Sequence, residues 1–198
     1  MLGPMHNDIE TILFSTEEIL AGLIRLADEI AHDYGDNEFT VVGVLKGSVV
    51  FVSDLVRNLD TTLEMAFVSA SSYRTGTESG KLDLTFFPME EEIRGKRILL
   101  ADDILDTGRT MFALKHELLA RGAAEVKTCV FLDKPSRRAV ELEADYRCFE
   151  VEDLFVVGYG LDFAGRYRNL PYVGDLKPSV YESPETPATP SEREGVNA

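Results

Sequence analysis

Basic residues are scarce in this chain. Lys and Arg number 20 against 35 Asp and Glu among 198 residues, a formal net charge of -15. Such a surface repels nucleic-acid phosphate and anionic lipid, which argues against a binding protein for either. An anionic small molecule would need a local basic patch. Cysteine is nearly missing: Cys129 and Cys148 stand in apolar or strand-like sequence and form no metal-ligand spacing. They read as reduced core thiols of an intracellular protein. Long apolar runs are absent too, so no segment approaches a membrane span. The first residues are acidic where a signal peptide would have a basic region and an apolar core, and a cytoplasmic location is expected. His6 and His32 have no acidic or cysteine partner at a telling spacing and read as surface residues. There is no internal repeat.

What is present suits one globular domain. At 22.0 kDa with 44% hydrophobic residues, the chain can bury a substantial core. The expected division is a folded unit over residues 1–178, with residues 1–8 loose, and a tail over 179–198. That tail, SVYESPETPATPSEREGVNA, is Pro-rich and nearly free of apolar side chains. It cannot offset its ordering entropy by burial, so disorder is expected.

Alternation of strand-like and helix-like patterns predicts an α/β fold. Ser15-Thr16-Glu17-Glu18 reads as a capping box that opens a helix to Tyr34-Gly35, with Ile19, Leu20, Leu23, Ile24, Ala27, Ile30 and Ala31 on one face. Phe39 to Leu45 reads as a buried strand, followed by Lys46-Gly47-Ser48 and a helix to about Asn58. Thr62 to Ser69 is strand-like, and the polar, Gly-containing run 71–80 suits a surface loop or a lid. Lys81 to Phe87 returns as a strand with a solvated exit through Glu92. Glu125 to Leu132 is a further strand, and 151–162 combines strand character with a glycine-rich exit.

The chain is organised around residues 97–114, RILLADDILDTGRTMFAL. Arg97 to Ala101 reads as a buried strand that ends at Asp102 and Asp103. From Met111 the period changes, and Met111, Leu114, Leu118 and Leu119 are spaced for a helix face. Between them, Gly108 permits a tight turn, and the first helical N–H groups are left unpaired. Those amides, with the Thr107 and Thr110 hydroxyls, would cradle a phosphate monoester. Carboxylates cannot attract phosphate, so Asp102 and Asp103 should face sugar hydroxyls or a divalent metal. Phosphate on one side and hydroxyls or metal on the other describes a phosphorylated ribose. Alone, the same residues also suit solvated loop acids and a helix cap.

This stretch resembles the phosphoribosyl-diphosphate (PRPP) signature of type I phosphoribosyltransferases, and Asp106 with the downstream blocks resembles the hypoxanthine(-guanine) branch. The resemblance runs from about Asp8 to Pro178. It implies a central, mostly parallel sheet flanked by helices, a small hood and a flexible active-site loop. The implied activity is Mg²⁺-dependent transfer of phosphoribose from PRPP to a 6-oxopurine with release of pyrophosphate. Most members have Glu where this chain has Asp102, a shorter arm of the same charge.

By resemblance, Thr107, Gly108, Arg109 and Thr110 hold the 5′-phosphate, Lys46 and Gly47 bind pyrophosphate after a cis Leu45–Lys46 peptide, and Ser72 and Tyr73 belong to the closing loop. Lys134, in the run DKPSRR, faces the purine 6-oxo group, Phe155 stacks on the purine and Val156 reads its edge through the backbone. Asp162 and Arg168 hold the departing pyrophosphate, Asp102, Asp103 and Asp162 are the metal-side carboxylates, and Asp106 is the catalytic acid/base residue at purine N7. A homodimer or homotetramer is implied, with neither nucleic acid nor membrane as partner. Two alternatives stand beside this reading: a xanthine- or guanine-preferring transferase, and a nucleotide-sensing RNA regulator on the same fold.

Overall fold

The computed structural model describes residues 4–71 and 83–182; the expected lid residues Ser72 and Tyr73 lie outside them. Chain order is β1 (Ile9–Phe14), α1 (Thr16–Tyr34), β2 (Phe39–Leu45), α2 (Val49–Asn58), β3 (Leu63–Ser71), β4 (Asp83–Phe86), α3 (Glu90–Ile93), β5 (Arg97–Leu105), α4 (Arg109–Ala120), β6 (Glu125–Asp133), β7 (Tyr146–Glu150), β8 (Val156–Val157), β9 (Val173–Leu176) and α5 (Pro178–Tyr181).

The main sheet has the order β4-β3-β2-β5-β6-β7 and is parallel except for β4. Helices cover both faces, which is why β2 is buried at all but its last residue and reads as a continuous apolar run. Below one face, α1 and α2 enclose a core that includes Leu23, Leu26, Phe51 and Phe131. Beneath the other, α3 and α4 enclose Ile93, Leu100, Met111 and Leu114. A second, antiparallel sheet of order β1-β9-β8 forms the hood, with its own cluster around Val157, Tyr167 and Leu176.

Helix α1 begins as read, with Ser15 and Glu18 exchanging capping hydrogen bonds at 2.8 and 3.3 Å. Its buried face is not the one expected. Leu20 and Ile24 are 52% and 47% exposed, while Gly22, Leu26 and Tyr34 face inward with Ile19, Leu23, Ala27 and Ile30. The true stripe is rotated by about 50° round the helix from the expected one. Gly22 is part of it because an added Cβ would lie 2.5 Å from the Phe149 ring, so the helix approaches β7 where only glycine fits. In α4, Leu119 is likewise exposed at 41% whereas Met111, Leu114 and Leu118 are buried, since position 119 lies about 100° beyond 118.

Other boundaries move as well. Strand β5 does not end at Asp102 and Asp103 but runs to Leu105, because β6 continues to supply backbone partners: Asp102 pairs with Val130 and Ile104 with Leu132. Backbone pairing is indifferent to the acidic side chains. The solvated exit before Glu92 contains the short helix α3. Only two residues of the 151–162 run form a strand. Residues 4–8 are not loose: a 3-10 turn there is held by Lys177 N–H donating to Asp8 C=O at 2.9 Å and Tyr167 Oη donating to the Asp8 carboxylate at 2.8 Å. His6 belongs to this attachment, 2.5 Å from Tyr172 Oη. The folded unit also continues past 178, since α5 places Tyr181 against Phe155.

Candidate active site

All the described candidate residues sit at the carboxyl ends of the parallel strands or in the hood above them. This is the edge where ligands of open α/β sheets bind. At the end of β2 the Leu45–Lys46 peptide is cis, as the resemblance implied. Gly47 follows in a gap that admits no side chain. An ideal Cβ there would stand 1.6 Å from Asp103 Oδ2, and a Cβ on Gly160 would stand 2.2 Å from Gly47 C=O. The segments after β2 and β8 and the last part of β5 therefore meet at one point. Gly47→Ala is expected to lower stability by about 1–3 kcal/mol through overpacking and to lower turnover with it; a thermal melt and a rate equal to those of the unaltered protein would contradict this.

Asp103 and Thr110 line a common cavity of about 170 Å³, together with Asp102, Asp106, Thr107 and Gly108. Gly108, at φ +78°, makes the turn into α4, whose first amides open onto this cavity. Arg109 is exposed and does not line the cavity. Asp102 Oδ1 accepts the Asp103 N–H at 2.9 Å. Burial, and then the charge of Asp103, push the Asp102 carboxyl well above its ordinary range. Asp103 is also pushed up by burial, against the lowering pull of its hydrogen bonds and of Arg168. The pair is thus short of positive charge, the condition a divalent cation corrects.

Asp106 Oδ1 lies 2.9 Å from Arg137 Nε, which also leans toward Asp153, its NH1 3.1 Å from Oδ1. The approach is off the hydrogen-bonding angle, so this buried oxygen retains an unfilled acceptor position. The loop that carries it is braced from behind. Arg138 NH1 donates to the Leu105 and Asp106 carbonyls at 2.9 and 2.6 Å and its NH2 pairs with buried Asp133, while Lys134 N–H and Ala139 N–H donate to Leu105 and Thr107. Arg137 and Arg138 were missed as site residues because DKPSRR reads equally well as surface charge balance; two adjacent arginines in so acidic a chain were the available signal.

Across the cleft, Lys134 is 6% exposed and its Nζ donates to Leu154 C=O at 2.6 Å. Burial lowers its pKa, and the nearby Asp106, Asp153 and Asp175 oppose that. The carbonyl it holds immediately precedes Phe155 in the chain. Val156 is buried in β8.

Asp162 and Arg168 are brought together, at 2.5 Å, and Arg168 also donates to Gly160 C=O at 2.6 Å. Asp162 Oδ2 accepts the Gly165 N–H at 2.8 Å. The loop around them holds Tyr159, Ala164 and Tyr167 at positive φ (50°, 50° and 74°), a strain that neighbouring contacts must sustain. Among the described residues no group of three or more His, Cys, Asp or Glu side chains is gathered as a metal cage.

Paired acids and a turn glycine at a helix start line one cavity at the strand ends of a doubly flanked parallel sheet, the place where α/β enzymes bind ligands. Residues 11–164 match the family described as the phosphoribosyl transferase domain, and the chain belongs to that family. It is 43% identical over 179 residues to the hypoxanthine-guanine phosphoribosyltransferase of Streptococcus pneumoniae, covering 90% of this chain and 99% of that one. The Bacillus subtilis hypoxanthine-guanine phosphoribosyltransferase is 45% identical over 179 residues, with the same coverage. Among solved structures, a Staphylococcus aureus hypoxanthine phosphoribosyltransferase is 40% identical with a TM-score of 0.83, covering 91% of this chain and 98% of its own. These relatives place the chain in the hypoxanthine-guanine branch and favour neither the xanthine-preferring nor the RNA-regulator alternative.

Proposed function

We propose that the protein transfers the 5-phosphoribosyl group of PRPP to hypoxanthine, and to guanine, giving the purine 5′-monophosphate and pyrophosphate in purine salvage. The observation that carries this is the cavity shared by Asp103 and Thr110; Lys134 and Phe155, linked through the Leu154 carbonyl, are proposed to hold the base. Residues 107–110 grip the 5′-phosphate away from the reacting carbon, so their binding energy holds the ribose in line. The Lys134 ammonium meets the purine 6-oxo group, favouring oxopurines over adenine, whose 6-amino group presents donors. The Asp106 carboxylate, which lines the cavity, receives the N7 proton or stabilises its positive charge as the glycosidic bond forms. Lys46, the Gly47 amide and Arg168 receive the departing pyrophosphate, Arg168 by exchanging its contact with Asp162. Ser72 and Tyr73 are proposed to close over the reaction centre.

The charge-deficient Asp102–Asp103 pair fits Mg²⁺, and two carboxylates with substrate oxygens and water satisfy its habit better than a protein-only cage. Bound there, the ion would neutralise pyrophosphate and tie it to the ribose hydroxyls. Family resemblance supports a homodimer or homotetramer, and the buried free thiols Cys129 and Cys148 suit the cytoplasm. The tail beyond the described residues is proposed to remain outside the folded unit. The deciding experiment measures pyrophosphate release from PRPP with hypoxanthine, guanine, xanthine, adenine or uracil, with and without Mg²⁺. Turnover with hypoxanthine and guanine that requires the ion is expected; release with uracil or adenine alone would reject the proposal.

A further inference from the structure

The short helix α5 is placed by contacts at both ends of the hood. Leu176 N–H donates to Phe155 C=O at 2.8 Å, Lys177 N–H donates to Asp8 C=O at 2.9 Å, and the Lys177 ammonium donates to Asn7 C=O at 2.7 Å. Pro178 then starts one helical turn, which carries Tyr181 back to the base pocket. Its ring lies nearly parallel to Phe155, with centroids 4.7 Å apart and an interplanar angle of 18°. Phe163 meets Phe155 edge-on at 5.3 Å and 89°. Both of these neighbours pack on the hood cluster. One face of Phe155 is therefore covered by the Tyr181 ring, while the residue as a whole stays 38% exposed.

We propose that Tyr181 is a positioning residue for the purine: it backs Phe155, and with Phe163 at the edge it holds that ring in the plane that presents an open face to the base beside the Lys134 ammonium. The proposal rests on the transferase reading and adds to it a role for a residue beyond the expected end of the domain. An aromatic side chain with neither face packed can swing about χ1 and χ2, and the base must then order it on binding. A parallel partner removes that freedom beforehand. An aromatic pair is worth enough to change affinity for the base by about 3- to 10-fold. Neither the phosphate cradle nor the Asp102–Asp103 pair touches Tyr181, so the donor substrate should not sense its loss.

The test is steady-state kinetics of the full chain with hypoxanthine and PRPP at saturating Mg²⁺, for the unaltered protein and for Tyr181→Ala, Tyr181→Leu and Tyr181→Phe. Alanine is expected to raise the hypoxanthine KM by about 3- to 10-fold, with kcat and the PRPP KM within about twofold of the unaltered protein. Leucine, which keeps apolar volume without a flat ring, should behave like alanine even if alanine loosens the hood. Phenylalanine should restore the unaltered value. An unchanged hypoxanthine KM in the Ala and Leu variants, or a parallel rise in both KM values with a lowered melting temperature, overturns the role. Absence of hypoxanthine turnover in the unaltered protein rejects instead the transferase reading on which it rests.

Discussion

Replacing Asp106 with asparagine should lower kcat by about 10²-fold or more, while the KM for PRPP stays within about twofold. The amide keeps the size of the side chain and leaves the loop braced, because Arg138 holds the backbone carbonyls of Leu105 and Asp106 and not the Asp106 carboxylate. What is lost is the charge facing the N7 proton. Arg137 would lose half of its bridge between Asp106 and Asp153, an exposed contact of small energetic weight. Single-turnover kinetics separate the cases: a slowed chemical step with normal PRPP binding is the expected pattern, and unchanged turnover would remove Asp106 from the mechanism.

Asp103→Asn should show the opposite signs in stability and activity. In the metal-free protein the two carboxyls are raised above their ordinary range, Asp102 by burial and its like-charged neighbour and Asp103 by burial. The folded state therefore binds protons more tightly than the unfolded chain across the interval between the ordinary and the raised values. Stability contributed by these groups falls as pH rises through that interval. Asparagine at 103 removes one buried charge and relieves its neighbour. The variant should melt at a higher temperature than the unaltered metal-free protein at neutral pH, and its stability should fall less steeply with rising pH. Turnover should nevertheless drop by about 10²-fold or more, since a carboxylate that would face the ribose hydroxyls and the divalent ion is gone. Thermal scans across pH without Mg²⁺, paired with rates in its presence, decide this; a variant destabilised at neutral pH would contradict the reading of the pair as cation-deficient.

The same two sites show how much the chain disclosed before folding. Asp106-Thr107-Gly108-Arg109-Thr110 declared a phosphate cradle because a turn glycine, hydroxyls and a helix start are local features, written within a few residues. The capping box at Ser15 was local in the same way. By contrast, β5 was placed too short because its last residues are acidic, and only the register with β6 extends it past Asp103 to Leu105. Leu20 and Ile24 illustrate a second limit: several stripes on one helix are similarly apolar, and the neighbour selects among them. Arg137 and Arg138 looked like balancing charge until the fold set them against Asp106 and its loop.

By itself, the order of residues determined the α/β alternation, the chemistry available at each strand end and the family resemblance, since these depend on periodicity and on motifs contiguous along the chain. Tertiary structure alone decided that Gly47, Asp103 and Gly160 meet without room for a methyl group, that Asp162 turns to Arg168, and that Tyr181 reaches Phe155. Those are contacts between segments far apart in sequence. They exist only when backbone pairing has brought the strand ends and the hood together, and no local pattern encodes the distance between them.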